Sequence, residues 1–184
     1  MKEKGFTIIE LIVVIAIIAL FLIIVISNFP SAKLQFTLSR VTYKFEQDLR
    51  RAQDMAFSQV EYKDSSGTVQ EVSGYGVYVD IDILGNKKYI IYADKIPGNQ
   101  QYDVLDYLVE TIDFSSTELG IVIKEINNVS NNKVSVNFNS SDFKTTITQL
   151  DQNQSSAGVV FALETDLTRK RSVLANTSGL VEVK

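Results

Sequence analysis

The chain has no cysteine and no histidine among its 184 residues. Without cysteine there can be no disulfide, no thiolate metal site and no cysteine nucleophile; the redox compartment is left open. Without histidine the commonest general base, the commonest metal ligand and every histidine-dependent triad are missing. Hydrolytic and metal-dependent catalysis are therefore disfavoured, and carboxylate or lysine chemistry is what remains. No pair of carboxylates stands out as catalytic, so the expectation is a non-enzyme with no cofactor and no metal. A basic field is also lacking. The net charge is −4, so nucleic acid is not an expected partner unless a local patch recruits it. What is present suits one folded domain: 45% hydrophobic and 22% charged residues.

The amino terminus reads MKEKGFTIIELIVVIAIIALFLIIVISNFP. Between Phe6 and Ile26 the non-apolar residues are Thr7 and Glu10. That is about the length a helix needs to cross a bilayer. Lys2 and Lys4 precede it and keep the amino end cytoplasmic under the positive-inside rule. A cleaved secretory signal fits poorly, because the run is too long and no small-x-small site follows Ile26. A plain anchor fits the length but gives Glu10 no task. An ionisable side chain at membrane depth is costly and points to function by default.

The string Lys4-Gly5-Phe6-Thr7-Ile8-Ile9-Glu10-Leu11-Ile12-Val13 resembles the class III signal of type IV pilins and type II secretion pseudopilins. The resemblance covers roughly the first 30 residues. It implies cytoplasmic cleavage after Gly5 by a prepilin peptidase and N-methylation of the new amino-terminal Phe6. It also implies partners: other pilin or pseudopilin subunits, an inner-membrane assembly platform and membrane lipid. Cleavage would leave an α-amino group on Phe6. The Glu10 carboxylate of an incoming subunit could pair with that amine on a neighbour. Two charges that are costly alone become tolerable together, and the pair sets axial register.

Beyond Pro30, which is expected to bend the helix axis, Leu34, Leu38, Val41, Phe45, Leu49, Ala52 and Ala56 recur at steps of three and four. This is one apolar stripe. The spacing predicts one helix from about Phe6 to about Gln59, on the order of 80 Å long at the α-helical rise. Arg40, Lys44, Arg50 and Arg51 read as a solvated face. The rest reads as strands: residues 75–83 and 88–93 as a hairpin across residues 84–87, then 121–126, 133–138, 143–150 and 157–164, the last central. Residues 171–175 and 180–183 form a closing hairpin.

The expected fold class is α+β, pilin-like: a long N-terminal helix, transmembrane in its first half and amphipathic in its second, on a C-terminal antiparallel β-sheet domain. The stripe would pack on one sheet face, and the other face would be wet or touch neighbours. The expected organisation is a leader (1–5), a transmembrane and filament-core helix (6–30), an amphipathic helix (31–60) and a β-rich domain (61–184). The segment DLRRAQDMA and the closing RSVLANTSGLVEV resemble the GspH/FimT group of minor pseudopilins and minor pilins, with Leu180 where that group often has arginine.

Two charged segments complete the reading. Residues 102–119 are acidic, with no basic residue, and there calcium binding is the alternative to simple solvation. Arg169, Lys170 and Arg171 form a basic triplet that could contact DNA or simply decorate a turn. The expected function is a structural subunit of a type IV pilus or type II secretion-type filament, with a DNA-binding minor pilin of an uptake pilus as the alternative. The expected location is the cytoplasmic (inner) membrane, single-pass, with the β domain outside, and then an extracytoplasmic filament.

Overall fold

The computed structural model describes residues 6–184, with the side chains of all but residues 25–31. The leader, Gly5 included, lies outside the described residues. The chain divides into two compact units, residues 1–36 and 37–184.

The helix α1 runs Ile8–Phe57. Its start follows from the local sequence. Thr7 is the N-cap: its hydroxyl accepts from the Glu10 amide at 3.3 Å, and its own amide donates to Glu10 Oε2 at 2.8 Å. This reciprocal pair is a capping box, which satisfies two amide donors that a helix start leaves orphaned. The far end is equally explicit. Val60 N donates to the Met55 carbonyl at 3.0 Å and Gln59 N to the Ala56 carbonyl at 3.1 Å, with Gln59 at φ 50°. That is a Schellman ending, with Gln59 in the left-handed place glycine usually takes.

In the first unit the described side chains of α1, up to residue 24, are exposed and almost wholly apolar. Among the described residues no helix is long and apolar enough to cross a membrane.

In the second unit the helix buries its stripe. Leu38, Val41, Phe45, Leu49, Ala52 and Ala56 are all core residues, as their spacing predicts. They meet two sheets rather than the single sheet expected. One has five strands in the order β5-β4-β3-β7-β8: β3 (Val72–Asp80), β4 (Lys88–Lys95), β5 (Tyr107–Asp113), β7 (Lys133–Asn139) and β8 (Thr145–Ile147). The other has four in the order β11-β10-β9-β6: β6 (Ile121–Asn127), β9 (Ser156–Leu163), β10 (Asp166–Asn176) and β11 (Val181–Val183). A small hairpin, β1 (Tyr62–Lys63) with β2 (Val69–Gln70), completes the set. All pairings are antiparallel. The Phe45 ring is edge-on to Tyr89 of β4 at 4.9 Å and to Phe161 of β9 at 5.3 Å, so one helix residue touches both sheets.

The split has a visible cause. After β4 and β5 the chain enters β6, which pairs with β9 and not with the first hairpin. β7 then returns to pair with β3, in register from Gly74↔Asn139 to Asp80↔Lys133. Alternation within each strand cannot reveal such long-range pairing. β9 is central, as its apolar run suggests, flanked by β10 and β6.

The outer face of the five-stranded sheet is not wet. Residues 96–106 lie across it as a strap. The Tyr102 ring stands 4.6 Å from Tyr78 and 5.3 Å from Tyr92, and its amide donates to Ser135 Oγ at 3.2 Å. The Gln100 amide donates to Asp94 Oδ2 at 3.0 Å, and Gln100 Oε1 accepts from Thr146 at 2.6 Å. Gly76 on β3 makes room beneath: a Cβ there would sit 2.6 Å from the Tyr92 ring.

The helix cations are more than a solvated fringe. Arg40 pairs with Glu118, Arg51 with Glu110 of β5 at 2.6 Å, and Lys44 with Asp48 at 2.7 Å. Arg50 bonds both Glu46 at 2.8 Å and the Val181 carbonyl of β11 at 2.7 Å. Their stems remain half exposed, so each pair adds little alone; Arg40, Arg50 and Arg51 tie the helix to Glu118, the Val181 carbonyl and Glu110, while Lys44–Asp48 and Arg50–Glu46 lie within the helix.

Candidate functional site: the amino-terminal motif

The residues singled out from sequence fall in three places. Gly5 lies outside the described residues. Phe6 is 84% exposed and immediately precedes the Thr7 cap. Glu10 occupies the third helical position, where its carboxylate accepts from the Thr7 amide and, at 2.8 Å, from the Thr7 hydroxyl. In the single chain, then, Glu10 is not an idle charge. It closes the first turn of α1 and sits at the positive end of the helix dipole, where a carboxylate is favoured.

Sequence reasoning noted Thr7 merely as a break in apolarity and missed its role. The signal was present: Thr-x-x-Glu ahead of an apolar run is the capping-box pattern. The pattern also places Phe6 at the position before the cap, where a hydrophobic residue commonly faces the fourth helical residue, here Leu11. From Phe6 onward the cluster offers a large exposed apolar group, a hydroxyl and a carboxylate on one turn.

The basic triplet lies on β10. Arg169 pairs with Asp166 at 3.1 Å and Lys170 with Glu125 at 3.3 Å. The Arg171 guanidinium stands 5.9 Å from the Tyr43 ring centre. Two of the three cations are thus already matched by carboxylates of the same chain. The acidic run is likewise distributed: Glu110 and Glu118 hold helix arginines, and Asp113 holds Lys88 at 2.9 Å. The Ser115 hydroxyl, and then Lys88, hold the Asp113 carboxyl down to about 2. Among the described residues no three acidic side chains gather where they could hold a metal ion.

Elsewhere two buried polar groups stand out. Asp48, on the helix, accepts from Tyr89 Oη at 2.7 Å; burial, then the Asp48 charge, pushes the Tyr89 phenol far above its ordinary range. Under the strap, Asp94 is 1% exposed and its Oδ1 has no hydrogen-bond partner. Burial pushes its carboxyl upward, as it does that of Asp106.

Residues 1–26 match the family model described as the prokaryotic N-terminal methylation motif. The match covers the capped helix start and most of the apolar run it leads, and it supports a likeness to the type IV pilin and pseudopilin superfamily. A motif of this kind implies, in general, processing by prepilin peptidase and assembly with other pilins. No curated protein and no solved structure matches the chain significantly.

Proposed function

We propose that this chain is a structural, non-catalytic subunit, a minor pilin or pseudopilin of the GspH/FimT kind, in a type IV pilus or type II secretion-type filament. It is inserted in the cytoplasmic membrane through residues 6–26 with its amino end inside. It is cleaved after Gly5, N-methylated at Phe6, and drawn into a filament through its N-terminal helix. The observation that carries this reading is the methylation motif at residues 1–26 together with Glu10 at the first turn of α1.

In this reading Glu10 changes partners. Within the single chain it is held by the Thr7 amide and hydroxyl. In the filament it meets the Phe6 amine of a neighbour. An amine and a carboxylate in an apolar filament core hold each other far more firmly than either tolerates solitude there. The carboxylate has lone pairs for both partners, so the cap need not break.

Intact mass of the membrane-extracted chain tests the reading. The expected species lacks residues 1–5 and carries one added methyl group at Phe6. Retention of the leader in cells with an active prepilin peptidase overturns it.

A further inference from the structure

Between the end of β4 and the strap lies a cavity of about 430 Å³. Three acids line it, Asp94, Asp103 and Asp106, and so do the apolar residues Ile96, Pro97 and Leu105. Its frame is fixed by hydrogen bonds. The Asp103 carboxylate accepts from the Leu105 amide and from Asn99 Nδ2, each at 2.7 Å. The Asp106 carboxylate accepts from the Asp103 amide at 2.8 Å and from the Lys95 amide at 2.9 Å. Asp94 Oδ2 accepts from the Gln100 amide at 3.0 Å and from Asn137 Nδ2 at 3.3 Å. The Tyr102 ring, set against Tyr78 and Tyr92, holds the strap down on the sheet. A cavity shaped in advance in this way spares a ligand much of the ordering cost of binding.

Every one of those donors is neutral. None of the three acids forms an ion pair among the described residues. Lys95 also lines the cavity, but its ammonium stands over the Tyr107 ring, 5.5 Å from the centre. Asp94 is the sharpest case. It is 1% exposed, and its Oδ1 has no hydrogen-bond partner. Burial raises the Asp94 and Asp106 carboxyls, and at Asp106 the charges of Asp94 and Asp103 push the same way. A water would satisfy Asp94 Oδ1 and still leave three like charges around one space without a counter-charge.

A bare metal ion is a poor match, because the acids do not gather at one point and half of the named wall is apolar. Carboxylates spaced around an apolar wall suit a cation whose charge is itself spaced along an aliphatic stem. We propose that this cavity binds an aliphatic diamine or polyamine. One ammonium group donates to Asp94 Oδ1, and another reaches the Asp103 and Asp106 carboxylates. The methylenes between them lie on Ile96, Pro97 and Leu105. An ammonium carries three donors and no acceptor, which is the complement of a cavity walled by ionised acids. Hydrogen bonds between ionised partners are also stronger than the neutral ones these carboxylates already make. The proposal concerns the β domain alone and does not depend on the filament reading.

The test is calorimetric titration of the full chain with putrescine, in a neutral detergent at low salt. Saturable binding is expected, with a rise in the Tm of the β domain at saturation. The uncharged diol of the same stem should not bind, and butylamine should bind about tenfold more weakly than putrescine. Asp94→Asn and Asp106→Asn should each weaken putrescine binding about tenfold. Asp113→Asn should leave it unchanged, since Asp113 lies outside the cavity and pairs with Lys88. Cooperative thermal unfolding verifies the fold of each variant, and either cavity variant suffices for the comparison. Absence of putrescine binding to the parent chain overturns the proposal. Equal weakening by Asp113→Asn also overturns it, as attraction to net charge alone. Binding of the diol or of butylamine as tight as that of putrescine, or tighter binding of calcium that displaces putrescine, overturns it as well.

Discussion

One helix, α1, passes through two environments. Up to residue 24 its described side chains, Glu10 excepted, are apolar and exposed: Ile15 is 58% accessible, and Leu11, Ile12 and Phe21 are similarly open. From residue 37 the same helix is amphipathic, and its apolar stripe is buried to 5% exposure or less. The backbone does the same thing in both stretches. What differs is where the free energy of burial comes from. The second stretch buries its stripe against β4 and β9 of its own chain. The first has no such surface among its own described residues, and in the filament reading proposed above lipid or other subunits cover it. An apolar residue of the second stretch should therefore serve folding, and one of the first should serve assembly.

The strongest way to break that contrast is truncation at both ends. Phe45→Ala should destabilise the detergent-solubilised chain by about 3–5 kcal/mol, the range for emptying a large aromatic site in a core. Ile15→Ala should leave denaturant unfolding of the same sample unchanged and reduce incorporation into filaments. Equal effects on unfolding would erase the distinction between the two stretches.

A smaller effect is expected at the helix–sheet hydrogen bond. Tyr89→Phe removes the phenol that donates to buried Asp48 and leaves that carboxylate with Lys44. A loss of about 1–3 kcal/mol should follow in urea unfolding. Asp48→Asn with Tyr89→Phe should cost less than the sum of the single changes, since both act on one bond.

The strap should respond to pH. Asp94 and Asp106 have carboxyls raised by burial above their unfolded values. Such groups favour the fold when protonated. Their contribution is complete below the ordinary aspartate range and is lost as pH rises through the raised values. Asp94→Asn keeps an acceptor for the Gln100 amide and has no charge to bury. Its Tm should exceed that of the parent at pH 8, and the difference should shrink towards pH 4.

The smallest effect should be at the cap. Thr7→Ala removes the hydroxyl that holds the Glu10 amide. Faster amide exchange confined to the first turn of α1 is expected, with unfolding of the β domain unaltered.

Much of this was legible in the sequence. The helix, its buried stripe, the central position of β9 and the closing hairpin all follow from local periodicity and turn residues such as Gly179, which sits at φ 83°. The methylation motif is a contiguous string, so it needed no fold to be seen. Other elements were not legible. β5 lies inside the acidic run, where charge hid its alternation; it forms by pairing with β4, and its Glu110 and Asp113 are matched by Arg51 of the helix and Lys88 of β4. The strap reads as an ordinary loop until Tyr102 is seen between Tyr78 and Tyr92.

The sequence by itself determined what depends on neighbours along the chain: the apolar run, the Thr7–Glu10 cap, the spacing of the stripe. Tertiary structure decided what depends on residues far apart. It divided eleven strands into three sheets, brought both larger sheets to Phe45, matched Arg169 and Lys170 with carboxylates, and left Val104 and Leu105 outside. The reason is the range of the forces. Hydrogen-bonded caps and helical periodicity act within about one turn, whereas strand pairing joins segments whose separation costs only slowly growing loop entropy, so composition alone cannot choose the partner.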